Sequence, residues 1–301
     1  LVRKGTVILW RGDHHNARQL LKAMDRRIAK QTFRRSRGEV TFAGHRAERT
    51  ERATLLGRLV VELEADHSLR LRRAPDVRAA ATAAYGEPSG KVIALQELLG
   101  VIGAHQWQTK GVPVPGLGES VHPGFGVFSP VRGEYVDLVV EAGLEPVPRT
   151  AYDLGTGTGV LAVVLARRGV ERVVATDINP RAVASATDNI ARLGAADRVS
   201  VVETDLYPPG RADLVVCNPP WLPGEPTSAL EAGIYDPESQ MLRGFIDGLA
   251  EHLEPGGESF FEHRFCKWLV GTRIIFRVFL GISRKIFYLG RIRQPCLFSD
   301  F

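Results

Sequence analysis

The run Asp153-Leu154-Gly155-Thr156-Gly157-Thr158-Gly159 joins one apolar stretch, TAYDL, to another, VLAVVLA. Glycines at alternate positions let the main chain approach a ligand with no Cβ in the way, which is what a cofactor loop needs. The spacing is GxGxG, not the GxGxxG of dinucleotide loops, and Asp153, two places before the first glycine, would repel a pyrophosphate. A neutral or cationic ligand suits this loop better. Asp177 ends the next apolar stretch, 22 residues after Gly155, where a carboxylate can accept from ribose hydroxyls. Asp205 ends the third, where a carboxylate can accept from an adenine amino group. Three acids closing three consecutive stretches suit an adenosine ligand that carries positive charge. Asn218-Pro219-Pro220-Trp221 closes the fourth stretch. Each residue also has a plainer role: a tight turn for Gly155 and Gly157, a helix cap for Asp177, a strand-end turn for Asp205, a structural stop for Asn218-Pro219-Pro220. His122 reads as a loop histidine, Glu134 as the start of a helix, and His14-His15 as surface residues.

These residues need a frame to hold them together. From Thr150 the pattern is strand, turn, helix, strand, in units of about 25 residues. TAYDL, RVVATD, RVSVVETD and ADLVVC read as buried strands, and 160–168 and 180–193 as helices, the second with Pro180 at its first position. Such alternation makes a parallel, doubly wound α/β sheet whose ligands bind at the carboxyl ends of the strands. Upstream, 16–30 has helical spacing and 31–40 reads as a basic loop. Residues 58–72 read as a β-hairpin about Ala65-Asp66-His67-Ser68, and 76–85 and 91–105 as helices. VPVPGLGESVHPGFGVFSP, dense in Pro and Gly, reads as a long irregular loop, a domain connection and active-site lip.

The GTGTG loop, Asp177, Asp205 and NPPW, in this order and at these intervals, resemble the class I S-adenosylmethionine-dependent methyltransferases. NPPW matches the (Asn/Asp)-Pro-Pro-(Tyr/Phe/Trp) signature of the amino-methyltransferase branch, which includes adenine-N6 and release-factor glutamine methyltransferases. GVFSPVRGEYVDLV resembles the segment before the core in those families. The likeness covers residues 121–257, a little under half the chain. It implies a Rossmann-like core with S-adenosylmethionine as cofactor, held by Asp153, Gly155, Gly157, Asp177 and Asp205, and it puts Asn218, Pro219 and Trp221 on the acceptor nitrogen. The chemistry fits those residue types. An amide or exocyclic amine is a poor nucleophile, because its lone pair is delocalised. Asn218, through its side-chain oxygen, and Pro219, through its carbonyl, can accept its two hydrogens and aim the lone pair, while Trp221 can stack on the planar group.

The remainder of the sequence bounds the setting. At 301 residues, 44% hydrophobic and 24% charged, the chain is neither disordered nor fibrous. Cys217, Cys266 and Cys296 lack CxxC spacing and the eight histidines lack HExxH, so neither a disulfide framework nor a metal is expected. No stretch of about 18 uncharged apolar residues exists and charge returns at Arg11, so a cytoplasmic protein without membrane association is expected. The first residue is Leu1 and not Met, which admits a fragment.

Four segments are expected: a smaller, basic, mainly helical substrate-presenting domain over 1–110, a connecting loop and helix over 111–149, the methyltransferase core over 150–257, and an atypical tail over 258–301. Charge divides the chain more sharply. Residues 1–75 hold 18 Lys/Arg against 8 Asp/Glu, and 76–257 hold 13 against 23. Such an excess suits an anionic partner, with Arg34, Arg35 and Arg37 around the thin aromatic signal of Phe33 as candidate substrate contacts. The expected methyl acceptor is therefore a nucleic-acid adenine or a glutamine of a ribosomal or translation-factor protein. The alternative is a nucleic-acid-binding module with a degenerate, non-catalytic methyltransferase core; a nicotinamide-dependent oxidoreductase fits GxGxG and NPPW poorly. From Glu258 the chain has no alanine and carries 8 of the 13 phenylalanines. Two readings of that tail compete: a basic amphipathic helix on Phe265, Trp268, Ile275, Phe279, Ile282, Ile286 and Leu289, or, preferred, an unselected sequence that follows a reading-frame shift near Glu258.

Overall fold

The computed structural model describes residues 1–35, 42–131, 133–220, 222, 224–226, 229–263, 272–280 and 286–295, and describes no side chains for 31–35, 42, 43, 229 or after Phe261. The chain divides into two compact units, Leu1–Gln106 and Trp107–Phe301.

The first unit contains β1 (Ile8–Leu9), α1 (His14–Arg35), α2 (Phe42–Leu56), β2 (Leu59–Leu63), α3 (Arg78–Tyr85) and β3 (Lys91–Ala94), followed by α4 (Leu95–Lys110), within which the division falls. Helices dominate, but β1, β2 and β3 form a three-stranded sheet in that order. Three expectations are corrected here. Residues 31–35, expected as loop, continue α1. Residues 58–72 are not a hairpin: β2 pairs antiparallel with β3, and its link to Leu69 is a single bridge from Leu63. Residues 91–94, expected to open a helix, form that β3 partner. In the latter two cases pairing between distant segments overrides local pattern. Apolar positions of α1 (Ala17, Leu21, Ile28) and β2 (Leu59, Val61, Leu63) bury into one cluster. His14, expected at the surface, is 5% exposed; His15 is exposed.

The second unit opens with a short hairpin, β4 (Val112–Val114) and β5 (Glu119–Val121), inside the segment expected to be irregular. Then come α5 (Glu134–Glu141), β6 (Thr150–Leu154), α6 (Val160–Arg167), β7 (Arg172–Asp177), α7 (Pro180–Arg192), β8 (Val199–Glu203) and β9 (Ala212–Cys217). The series closes with α8 (Ala229–Ala232), α9 (Gln240–His252), β10 (Leu253–His263), β11 (Thr272–Leu280) and β12 (Ile286–Pro295). Among the described residues these build one seven-stranded sheet, ordered β12-β11-β10-β9-β6-β7-β8. From β10 to β8 neighbours are parallel, and β11 and β12 are added antiparallel. This is the doubly wound, Rossmann-like α/β core that the sequence implies.

Val160 to Ala166 are buried without interruption, because α6 lies on the sheet between neighbouring helices. α9 covers the opposite face, with Phe245 and Leu249 against Leu154, Val215 and Cys217. Glu254-Pro255-Gly256-Gly257 is an irregularity inside β10: register with β9 jumps between Leu253 and Glu258, and Gly256 takes φ +85. The helical reading of the tail is overturned where it can be compared, since Ile275 and Phe279 lie in β11 and Ile286 and Leu289 in β12. Phe265, Trp268 and Ile282 lie outside the described residues.

Candidate functional site

β6 and β9 are adjacent in the sheet while β6 also neighbours β7, so the chain direction around the sheet reverses between β6 and β9. A crevice opens at the carboxyl ends there. It holds a cavity of about 570 Å³, within the range of small-molecule sites. Asp153, Gly155, Gly157, Asp177, Asp205 and Asn218 all line it. Five of these six are the proposed cofactor residues, drawn from across 53 positions of chain.

The two acids nearest the glycine loop are occupied. Asp153, 1% exposed, accepts through Oδ2 from the Thr156 hydroxyl at 2.6 Å and the Ala162 N–H at 3.0 Å, tying strand, loop and the start of α6 together. Burial pushes its carboxyl up to about 6 against the pull of those hydrogen bonds. Asp177 accepts from Gly157 N–H at 3.0 Å with Oδ2 and from Asn179 N–H at 2.9 Å with Oδ1, and burial raises its pKa too. Gly155 and Gly157 take φ +68 and +57, the left-handed region that glycine enters without a Cβ penalty. A Cβ at Gly157 would meet nothing within 4 Å, so its face of the loop opens onto free space; one at Gly155 would strike Met241 of α9.

The other two polar groups differ. Asp205 lies two residues past the end of β8, beside Leu206 at φ +60, and among the described residues its carboxylate has no hydrogen-bond partner. The Asn218 side chain, one residue past β9, is likewise without one. Pro219 is buried and is not among the lining residues, whereas Pro220 is. Trp221 and Arg37 lie outside the described residues, and Arg34 and Arg35 close α1 with their side chains undescribed. Glu134 opens α5. His122 is not a lining residue; its Nδ1 bonds the Gln108 carbonyl at 2.7 Å.

Sequence reasoning missed the residues that hold the lip. Asn189 of α7, with 0% exposure, accepts from His122 N–H at 2.7 Å and donates to the carbonyls of His122 at 3.2 Å and Thr158 at 3.1 Å. One turn earlier, Ser185 accepts from Gly124 N–H at 3.1 Å. α7 thus clamps the lip to the glycine loop, and Gly126, Val127 and Phe128 beyond the clamp line the cavity. A Ser and an Asn four apart on a helix face otherwise filled by Ala182, Ala186 and Ile190 is the signal that pointed there. Asp236 was also missed: it caps α9 by accepting from Met241 and Leu242 N–H at 3.0 and 3.1 Å, and so fixes Met241 over the loop.

Residues 121–262 match the family model described as "Methyltransferase small domain". The chain is 36% identical over 138 residues to a release factor glutamine methyltransferase of Cereibacter sphaeroides, which covers 41% of this chain and 50% of that protein. It is 55% identical over 71 residues to a ribosomal protein L11 methyltransferase of Pelotomaculum thermopropionicum, 23% of each chain. Among solved structures, a ribosomal protein L11 methylase from Lactobacillus delbrueckii subsp. bulgaricus aligns at a TM-score of 0.36 and 25% identity, over 45% of this chain and 62% of that one. The chain spans half the length of the first of these relatives. The glycine loop, the strand-end acids and Asn218-Pro219-Pro220 stand at the strand ends of one α/β sheet, and residues 121–262 are similar to a methyltransferase small domain of the amino-methyltransferase branch.

Proposed function

We propose that this domain transfers a methyl group from S-adenosylmethionine to an amide or exocyclic amino nitrogen of a macromolecule, a protein glutamine or a nucleic-acid adenine. The observation that carries the proposal is the Asn218 amide, unpartnered among the described residues, on the same cavity as the glycine loop and Asp205.

The residues present fit the cofactor. Asp177 keeps about two of its roughly four acceptor positions for ribose hydroxyls after its two backbone bonds. Asp205 is free, among the described residues, to accept from an adenine amino group. Gly155 and Gly157 let the main chain lie against the ligand, and the acids around the cavity favour a cation. Bound there, S-adenosylmethionine supplies an electrophilic methyl group on a sulfonium. Asn218 through Oδ1 and Pro219 through its carbonyl accept the two hydrogens of the acceptor nitrogen, and Trp221 stacks on its plane. Those acceptors also stabilise the positive charge that develops on nitrogen, while placing both reactants in line contributes the larger part.

Relatives named for a release factor and for ribosomal protein L11 support an acceptor in the translation apparatus, and a cytoplasmic setting goes with that. Incubation with tritiated S-adenosylmethionine and cell lysate, followed by separate nuclease and protease treatment, tests the proposal and names the acceptor class. Label that is released by one treatment and absent with Asn218→Ala is expected. Cofactor binding without label would leave the non-catalytic, nucleic-acid-binding reading.

A further inference from the structure

α1 carries an exposed row of bases. Arg18, Lys22, Arg26 and Lys30 recur every four residues, with Arg27 beside them, and all five are exposed. Residues four apart on a helix are neighbours on its surface, so the row is continuous, about 18 Å long at 1.5 Å per residue.

The charge of that row is not spent internally. Both acids associated with the helix are neutralised by arginines from elsewhere in the unit. Asp13, just before α1, is held by Arg73 through two bonds of 2.6 and 2.8 Å and by Arg72 at 3.2 Å. Asp25 takes two bonds from Arg52 of α2. No ion pair among the described residues involves any of the five bases. The neighbours of the row are also informative. The remaining exposed residues of 14–30 are His15, Asn16, Gln19 and Ala29, so the surface offers none of the large apolar anchors on which protein interfaces rest.

We propose that this face of α1 is a docking surface for the phosphate backbone of a nucleic acid, read by charge and not by sequence. The four bases of the row can neutralise about four phosphates. The proposal adds a partner to the methyl-transfer reading without resting on it, since docking is measured with no cofactor and no transfer.

The test is fluorescence anisotropy of the full chain with a labelled single-stranded RNA of 20 nucleotides and mixed sequence. Four phosphate contacts give a slope of log K against log salt of about −3, a loss of about fiftyfold between 50 and 200 mM salt. The fourfold variant R18Q/K22Q/R26Q/K30Q, whose glutamines keep helix propensity, should bind with a nearly flat slope. R70Q/R78Q, which alters exposed arginines already paired with Glu64 and Asp76, should bind as the parent does. If the fourfold variant unfolds, Lys22→Gln and Lys30→Gln taken singly should each reduce the slope by about 0.7. A flat slope for the parent chain, an unchanged slope in the α1 variants, or polyglutamate bound as tightly as RNA of equal charge overturns the proposal, the last in favour of an acidic protein partner.

Discussion

The ends of β6 and β7 and the ends of β8 and β9 face the same cavity, yet they treat their polar groups in opposite ways. Asp153 and Asp177 each accept from two donors of the chain itself, one of them in the glycine loop. Asp205 and Asn218 have no such donors among the described residues. Three aspartates that look equivalent as strand-end acids therefore divide by task. In the proposed function Asp153 is chiefly a scaffold, Asp177 is scaffold and ligand group together, and Asp205 with Asn218 forms the part of the cavity left for a partner from outside.

The division is broken most directly at Asn218. Asn218→Ala should lower kcat by a factor of about 10² to 10³, the range for one lost acceptor or donor that acts at the developing charge, and leave cofactor affinity intact. Single-turnover kinetics and calorimetry measure the two separately. If turnover persists, the free amide serves packing, and the contrast between the two pairs of strand ends is without catalytic meaning.

Asp153 provides the next largest effect, through pH. Its folded pKa of about 6 lies above the ordinary 3.8, so the unfolded chain ionises first as pH rises. Stability conferred by the neutral form is complete below pH 3.8 and is lost as pH climbs through about 6, a change of about 3 kcal/mol at 1.36 kcal/mol per unit. Asp153→Asn cannot ionise. Urea unfolding from pH 3.5 to 7.5 should show the stability difference moving in favour of the variant by that amount. A pH-independent difference would mean that water reaches the carboxylate.

Asp177 and Asp205 sharpen the comparison by being changed in parallel. Asp177→Ala should weaken S-adenosylmethionine binding by about 1.5 to 3 kcal/mol and also lower Tm, because Gly157 and Asn179 lose their acceptor. Asp205→Ala should weaken binding and leave Tm unchanged. Equal Tm losses in both variants would contradict the assignment of scaffold to one and ligand group to the other.

The centre of the sheet was legible because its strands and helices state their own burial; β8, expected as buried, is an edge strand in which only Val199 is buried, and β11 and β12 were not expected. TAYDL, RVVATD and ADLVVC are apolar on both faces, as a covered parallel sheet requires, and Pro180 marks the start of α7 behind an Asn179 cap. Gly155, Gly157 and the strand-end acids were legible for a related reason, since their positions follow from strand ends. The first unit was not, because β2 finds its partner at residues 91–94, and no local pattern encodes a pairing across 28 positions. Asn189 went unseen for the same cause: its bonds run to residues 67 and 31 positions away, and only the folded chain brings them together.

The smallest prediction concerns what stands behind Asn218. β9 ends one residue before Asn218, and β9 is flanked by β10, whose composition changes character at Glu258. β10 nevertheless pairs: Ser259, Phe260 and Phe261 are in register with Val215, Val216 and Cys217, and Phe261 meets the Phe245 ring edge-on at 5.4 Å. Alternation puts Ser259 on the face of Phe261, against the apolar cluster under α9, where it has 0% exposure and its hydroxyl has no partner among the described residues. A buried hydroxyl without a partner costs stability, but Ser129 has one too, well before Glu258, and the family match continues through residue 262, so the orphan does not bear on the reading-frame shift expected there. Sequencing the gene across codons 250 to 265 decides the frame. Ser259→Ala tests the strand itself: removal of the orphan hydroxyl should raise stability by about 1 kcal/mol in urea unfolding with m unchanged. A loss of stability instead would show the hydroxyl to be bonded, and β10 to be as well fitted to β9 as β6 is on its other side.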